Sequence, residues 1–469
     1  MSIKWARVLA SARRVRPVKI MLLGYLSYVL LGWVLLSLPW AWQEDGGGGV
    51  GALDNLFTAT SAMSTTGLAT VSPPLAYSFF GELVVLGLIQ AGGLGYMTLG
   101  SFVILAGRRR ISRFREGLTR STFVLPEGFE VGKFIRNVVV FTLVVEAAGA
   151  VALYFAFRSA GVAELAAAGE IGASGRGAGY VLWSAVFHSV SAFCTAGFSL
   201  FPDSLEGFRD DFWVNLIISA LSIAGAIGFL VMTDLVAMLT GGRRRVTLTS
   251  KIILHFTFWL LVLGTLTLFV VDGELAELPP SERLLASWFT AMTSMTTVGF
   301  DTHPIGGLST ASVLLLYLLM LIGASPSGTG GGLKTTSVSA LWATMGSVLR
   351  GRGEITFWGV QVPSNRLHTA FAALGFYVTT VFVGGMLLLL AEAGHPDLVF
   401  EDLMFEVISA LGTVGLSRGL TGELSELGKV VVIGLMFAGR VGPLTLGLAL
   451  FAGGDERVEV EARLDDVAI

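Results

Sequence analysis

The chain has 469 residues, of which 53% are hydrophobic and 14% charged, with a net charge of −3 and a mean hydropathy of +0.75. A soluble domain carries about 25% charged residues, so this composition excludes an ordinary soluble domain and calls for lipid as its solvent. The charge balance shows no basic bias toward nucleic acid, and the single cysteine, Cys194, excludes an intrachain disulfide.

Lys4, Arg7, Arg13, Arg14, Arg16 and Lys19 open the chain. The apolar run that follows, from Ile20 to Leu38, is long enough to cross a bilayer and stay, unlike the short core of a cleaved leader. Apolar stretches near bilayer length recur at 18–38, 80–106, 134–157, 212–239, 252–271, 309–322, 367–391 and 430–451, and the sixth resumes after Lys334 to Leu349. Each must be helical, because backbone in lipid has to satisfy its own hydrogen bonds. Eight crossings are therefore expected. Lys and Arg gather after the second (Arg108, Arg109, Arg110, Arg113, Arg115, Arg120), fourth (Arg243, Arg244, Arg245, Lys251) and sixth (Arg350, Arg352, Arg366). The other connections lean acidic, with Glu44, Asp45 and Asp54, then Asp272, Glu274, Glu277 and Glu282, then Asp397, Glu401 and Asp402. The positive-inside rule puts the basic ends, and both termini, in the cytoplasm.

Between the spans of each pair lies an apolar segment too short to cross, at 53–63, 181–193, 284–295 and 403–411. Segments of that length in a membrane chain are often re-entrant. The expected fold is an all-α membrane protein with four pseudo-symmetric M1–pore helix–M2 repeats around a central pore: eight transmembrane helices plus four re-entrant pore helices. The corresponding division is a cytoplasmic N-terminus at 1–17, repeats at 18–120, 121–245, 246–352 and 353–452, and a cytoplasmic tail at 453–469.

Each short segment ends in a similar loop: Thr65-Thr66-Gly67, Thr195-Ala196-Gly197, Thr297-Val298-Gly299 and Thr413-Val414-Gly415. One Thr-Val-Gly means little; four in register, each after a non-spanning half-helix, is a strong signal. A cation entering a narrow pore exchanges hydration water for fixed oxygens, and potassium filters supply rings of backbone carbonyls. Glycine tolerates the backbone angles such a strand needs. The negative end of each half-helix dipole points toward the ion. These twelve residues are the candidate potassium-binding filter, and Asp301 beside the third loop is placed to concentrate cations.

This fourfold half-helix with a filter glycine resembles the Trk/Ktr/HKT superfamily of potassium transporters over nearly the whole chain. The stretch from Gly323 to Thr336 is similar to the family's broken third-repeat helix, and Phe437-Ala438-Gly439-Arg440-Val441-Gly442-Pro443 is similar to the last helix of its KtrB membrane-subunit branch. The departures are Ala196 where other loops have Thr or Val, and Leu68 and Leu416 where others have Phe. The resemblance implies potassium as the transported ion, since Gly67 stands where sodium-favouring relatives carry serine. It further implies sodium stimulation, a homodimer, and a cytosolic ring of nucleotide-binding, KtrA-like regulatory subunits in the cell membrane's cytoplasmic face. It implies no enzymatic activity and no cofactor.

The run Gly323, Ser325, Ser327, Gly328, Thr329, Gly330, Gly331, Gly332 and Lys334 interrupts an otherwise good span. Gly and Pro disfavour helix interiors, and non-helical backbone at that depth lines a cavity or is covered by protein. It reads as a gate below the filter, with a packing kink as the plain alternative. Leu333 before Lys334 rules out a phosphate-binding loop. Arg440, central in the last span, costs at least ~2.5 kcal/mol on insertion scales and so faces pore or protein. It reads as a gating charge, or as a cap on loop carbonyls. Glu146 and Asp234 read as helix–helix hydrogen-bonding groups, with ion sites as the alternative, and His188 as a packing or capping residue in preference to a ligand. With five histidines and no pair at ligand spacing, no resident metal centre is expected. The rivals are a secondary transporter for another cation or small solute with a broken-helix site, a membrane enzyme and a scaffold. No His-Glu-x-x-His or Gly-x-Ser-x-Gly supports the second.

Overall fold

Backbone polar groups in lipid need partners within the chain, and this chain meets the demand with helices. The computed structural model describes residues 17–43, 49–95, 131–162, 177–239, 241, 246–352, 354–396, 398–442 and 446–447. The basic runs at 108–120 and 243–245, the acidic pair Glu44 and Asp45, the N-terminus and the tail lie outside these residues.

The longer helices are α1 (Pro17–Leu36), α2 (Ala52–Ser64) and α3 (Phe79–Leu94); α4 (Val131–Ser159), α5 (Gly177–Phe193), α6 (Phe212–Ile227) and α7 (Phe229–Leu239); α8 (Leu248–Val271), α9 (Pro280–Thr296), α10 (Thr310–Leu321) and α11 (Thr335–Leu349); and α12 (Ser364–Ala391), α13 (Phe400–Gly412) and α14 (Glu426–Val441). A small hairpin pairs Thr356–Phe357 with Val360–Gln361.

Among the described residues, three helical segments are long and apolar enough to cross a bilayer alone: Ile135–Ser159, Leu248–Val271 and Arg366–Ala391. The helices α6 and α7 pass that test together, bent by 101° at their junction. Shorter apolar helices cover Leu22–Leu36, Phe79–Leu94 and Thr310–Leu321. Large apolar side chains such as Phe155, Trp213, Leu263 and Phe382 stand exposed on these helices, which suits lipid and not water. The chain is a multi-pass membrane protein.

Packing follows one pattern four times. The short helices α2, α5, α9 and α13 each lie against the helix before and the helix after them, which also touch each other. The following helix then packs on the next short helix: α3 on α5, α6 on α9, α10 on α13, and α14 back on α2. The short helices are largely buried toward their C-terminal ends. Serine or aspartate caps start all four following helices, with Ser78, Asp211, Ser309 and Ser425 accepting from Gly81, Val214, Ser312 and Gly428 N–H.

Three span boundaries differ from the sequence expectation. The fourth apolar stretch reads as one continuous span but breaks at Gly228, which sits at φ 86° with the Pro326–Gly328 backbone against it. Similar endings recur: α3 stops before Gly95 (φ 77°) and α14 before Gly442 (φ 87°). The sequence assigns a break to the third repeat alone, whereas the other three following helices also stop, each at a left-handed glycine. Only glycine takes these left-handed angles without strain.

Candidate functional site

A helix whose last turn meets an αL residue stops there, and the backbone turns away. All four short helices end this way, and on threonine: Thr65 (φ 54°), Thr195 (φ 52°), Thr297 (φ 58°) and Thr413 (φ 50°). A β-branched residue in that conformation is an outlier, so packing imposes it. The next N–H bonds back to the helix each time, from Thr66 to Ser61 O (2.9 Å), Ala196 to Ser191 O (2.8 Å), Val298 to Thr293 O (3.1 Å) and Val414 to Ser409 O (2.8 Å). Helix serines hold the loops further. Ser61 Oγ accepts from Gly67 N–H and Ser409 Oγ from Gly415 N–H, both at 3.1 Å, while Ser191 Oγ donates to Phe198 O at 2.9 Å.

The glycines come next, also left-handed, at φ 96°, 67°, 82° and 93° for Gly67, Gly197, Gly299 and Gly415. A β-carbon on Gly67 would collide with Ala196 O, on Gly197 with Val298 O, on Gly299 with Val414 O, and on Gly415 with Thr66 O. Each loop therefore presses its glycine against the carbonyl of the next, and the fourth closes on the first. The result is a ring of four glycines alternating with four backbone carbonyls, from which any side chain at the glycine positions is sterically barred. Ten of the twelve sequence-read loop residues are buried, and Gly67 and Gly415 are half-buried.

Directly against this ring lies the break between α10 and α11, residues 322–334. It reaches all four αL threonines. Thr329 Oγ1 meets Thr195 Oγ1 at 3.1 Å, and Thr65 Oγ1 lies 3.5 Å from Thr329 O. The Gly331 N–H donates to Thr297 Oγ1 at 3.2 Å, and a β-carbon on Gly331 would strike Thr413 Oγ1. Gly330 and Gly331 thus come too close to the loops for a larger residue. On its other side the break is tied to the α6 end: Ser325 Oγ donates to Ala226 O (2.9 Å) and Ile227 O (2.5 Å), and Thr329 N–H to Gly225 O (3.1 Å). Gly323 and Gly332 pack on each other, with Gly332 at φ 68° and Ser327 at φ 67°. Lys334 Nζ donates to Gly330 O at 2.7 Å.

Arg440 completes the arrangement. From α14 its guanidinium donates to Thr329 O in the break and to Gly92 O near the end of α3. The arginine ties the break to the first and fourth sets of helices by capping carbonyls of the break and of α3.

The remaining polar residues are tied to structure. Glu146 Oε1 accepts from Gln90 Nε2 (3.1 Å) on α3 and from Cys194 Sγ (3.6 Å). Asp234 accepts from Thr247 N–H, Thr247 Oγ1 and Ser250 Oγ at the start of α8. His188 stacks on Phe201 at 4.6 Å. Asp301 stands just beyond the third glycine, half-buried, and its carbonyl accepts the Leu205 N–H at 2.9 Å. Burial, with Glu206 and Asp203 nearby, pushes its carboxyl up to about 7 against the hydrogen bond from Ser204. Among the described residues no group of three or more His, Cys, Asp or Glu side chains that could hold a metal ion occurs.

Sequence reasoning found the four glycine loops and the break. It missed the αL threonines and a further set of close approaches: Gly92, Gly225 and Gly439 lie against the last-turn carbonyls Met63 O, Phe193 O and Leu411 O. Their signal was present, since each stands three residues before a helix-ending glycine.

A multi-pass helical protein whose four loops close a ring of backbone carbonyls belongs to the class of cation-translocating membrane proteins. The chain belongs to the TrkH family of cation transport proteins, which it matches over residues 46–452; its function is ion transport and not enzymatic. It is 32% identical to the Ktr system potassium uptake protein B of Bacillus subtilis over 447 residues, covering 94% of this chain and 93% of that protein. It is 33% identical to the protein of the same description from Vibrio alginolyticus (92% and 90%) and 32% identical to the potassium/sodium uptake protein NtpJ of Enterococcus hirae (93% and 93%). The fold is that of the potassium transporter TrkH of Vibrio parahaemolyticus, with a TM-score of 0.68 at 20% identity over 91% of this chain and 84% of that one.

Proposed function

We propose that the protein takes up potassium through a selectivity filter formed by the four loops, with residues 322–334 and Arg440 as its gate. The observation that carries this reading is the closed glycine–carbonyl ring, in which Thr66, Ala196, Val298 and Val414 present oxygens at the meeting point of four half-helices. Stripping water from a cation is offset by such carbonyls and by the negative helix ends behind them. In this reading the four sets of helices are M1–pore helix–M2 repeats, giving eight crossings and four re-entrant helices, with both termini cytoplasmic and the glycine side of the ring facing out. The break then sits beneath the ring and obstructs it until the Arg440 and Thr329 contacts are released.

The driving force needs no chemical step. A membrane potential supplies ~2.3 kcal/mol per charge per 100 mV, and a tenfold gradient opposes with ~1.4 kcal/mol. An inside-negative cell therefore accumulates potassium through a selective pore. The similarity to Ktr proteins extends the proposal to a homodimer in the cell (inner) membrane, carrying a cytosolic ring of nucleotide-binding regulatory subunits. Sodium stimulation or symport belongs to the same extension, and one relative is described as a potassium/sodium uptake protein.

The test is cation flux into liposomes holding the purified protein with an imposed potential, comparing potassium, rubidium and sodium, for wild type and Gly299→Ser. Passage of potassium and rubidium with sodium excluded, and a blurred preference in the variant, supports the filter. Equal passage of sodium by the wild type contradicts it. A broken-helix secondary transporter would instead show saturable exchange insensitive to Gly299→Ser.

A further inference from the structure

Nine residues before each ring glycine, one position recurs on the four short helices: Thr58, His188, Thr290 and Glu406. All are buried, none more than 2% exposed. Two residues after the glycines stand Ala69, Ser199, Asp301 and Ser417. In the second and fourth loops these positions join. His188 Nε2 lies 3.0 Å from Ser199 Oγ, and Glu406 Oε2 accepts from Ser417 Oγ at 3.0 Å.

The two joints are built alike around the serine. Each hydroxyl also accepts the backbone N–H two residues further on, from Phe201 at 2.9 Å and from Gly419 at 3.1 Å. Each partner is itself fixed from behind. His188 Nδ1 lies 2.7 Å from Ser184 O, a carbonyl that can only accept, so in the neutral ring Nε2 is an acceptor and shares the single Ser199 hydroxyl proton with Ser204 O, 3.1 Å from Ser199 Oγ. Glu406 Oε1 accepts from Thr421 Oγ1. The first loop has no hydroxyl at this place, because it is Ala69, and the third has Asp301, whose backbone N–H donates to Ser204 Oγ at 3.2 Å. In the ring order first–second–third–fourth, the two joined loops stand opposite each other.

A buried carboxylate or imidazole is costly to leave without its partner, so these joints resist loosening more than a serine–backbone bond would. Discrimination between ions of similar charge depends on how firmly the carbonyl ring holds its size and field. We infer that His188 and Glu406 are positioning residues for the filter, each bracing the outer arm of its loop through Ser199 or Ser417 and so fixing the width of the ring across one diagonal. This rests on the filter reading above. The braces contact no ion, and their effect falls on selectivity before it falls on total flux.

The experiment is the liposome assay with potassium and sodium, run on Glu406→Ala, Glu406→Gln, Ser417→Ala, Ser199→Ala, Thr58→Ala and Thr290→Ala, with Gly299→Ser alongside. Ser417→Ala and Ser199→Ala are expected to lower the potassium-over-sodium ratio roughly tenfold, the equivalent of one hydrogen bond to a buried charged or polar group. Glu406→Ala is expected to do the same, and Glu406→Gln, which still reaches Thr421 and Ser417, to retain most of the ratio. Thr58→Ala and Thr290→Ala are expected to leave it unchanged. If Glu406→Ala does not fold, the two serine variants decide, because they cut the same joints from the loop side. Serine variants that reduce flux to all cations equally at an unchanged ratio overturn the inference in favour of a merely structural bond. So do Thr58→Ala and Thr290→Ala if they broaden selectivity as much. Should Gly299→Ser itself leave the ratio untouched, the filter reading fails; if only Gly299→Ser changes it, the filter stands and the braces do not.

Discussion

The ring and the break beneath it are made from the same kinds of residue, Gly, Thr and Ser, yet they are built on opposite plans. The ring is assembled four times over, each loop with a left-handed threonine, a left-handed glycine and the next loop's carbonyl against it. The break occurs once, between α10 and α11, and one stretch of chain meets all four threonines in four different ways. Fourfold construction suits a site that must surround an ion evenly. A single unequal segment suits a part that has to leave, because removing it requires breaking one set of contacts and not four. On the proposed function, the comparison separates selection, assigned to the ring, from gating, assigned to the break and its arginine.

The largest expected effect comes from the ring. Gly197→Ala or Gly299→Ala adds left-handed strain of ~1–3 kcal/mol to a collision with the neighbouring carbonyl, and is expected to erase potassium preference by roughly 100-fold in the flux ratio. Either variant keeping wild-type selectivity would break the comparison at its symmetric half. Next comes deletion of residues 327–331, expected to raise potassium flux about 30-fold, since several contacts are lost together, with the potassium-to-sodium ratio unchanged. A deletion that alters the ratio instead would mean that the break takes part in selection. Arg440→Gln removes the charged hydrogen bonds to Thr329 O and Gly92 O. One such bond is worth ~1.5–3 kcal/mol, so flux is expected to rise roughly tenfold, less than for the deletion. Smallest is Asp301→Asn, expected to raise the half-saturating potassium concentration about twofold at low ionic strength and to do nothing at high salt, as a steering charge does. Uptake curves at two ionic strengths check it.

Some of this was legible in the sequence and some was not, for physical reasons. The ring glycines stood out because a left-handed backbone at a close approach leaves glycine as the sole comfortable residue, and the residue type therefore reports the geometry. The half-helix boundaries came within a few residues, as with 403–411 against Phe400–Gly412, because caps and apolar runs are local. The αL conformation of Thr65, Thr195, Thr297 and Thr413 was invisible, since nothing in a threonine announces an angle that only tertiary packing enforces. The bend at Gly228 was hidden for the same reason: its cause is the Pro326–Gly328 backbone, about a hundred residues away in the chain. The order in which the loops touch, and the arginine's two acceptors, are likewise long-range facts. The joint between Glu406 and Ser417 could have been found by aligning the four loops and reading outward from each glycine.

The central claim is that the four carbonyls of Thr66, Ala196, Val298 and Val414 surround the transported ion. The most direct measurement is a crystal structure grown in rubidium, with anomalous scattering used to find the ion. The account expects an anomalous peak on the axis of the ring, within coordinating distance of those four oxygens, and its loss when rubidium is replaced by sodium. A ring that is ordered but empty in rubidium, with the peak elsewhere in the protein, would contradict it.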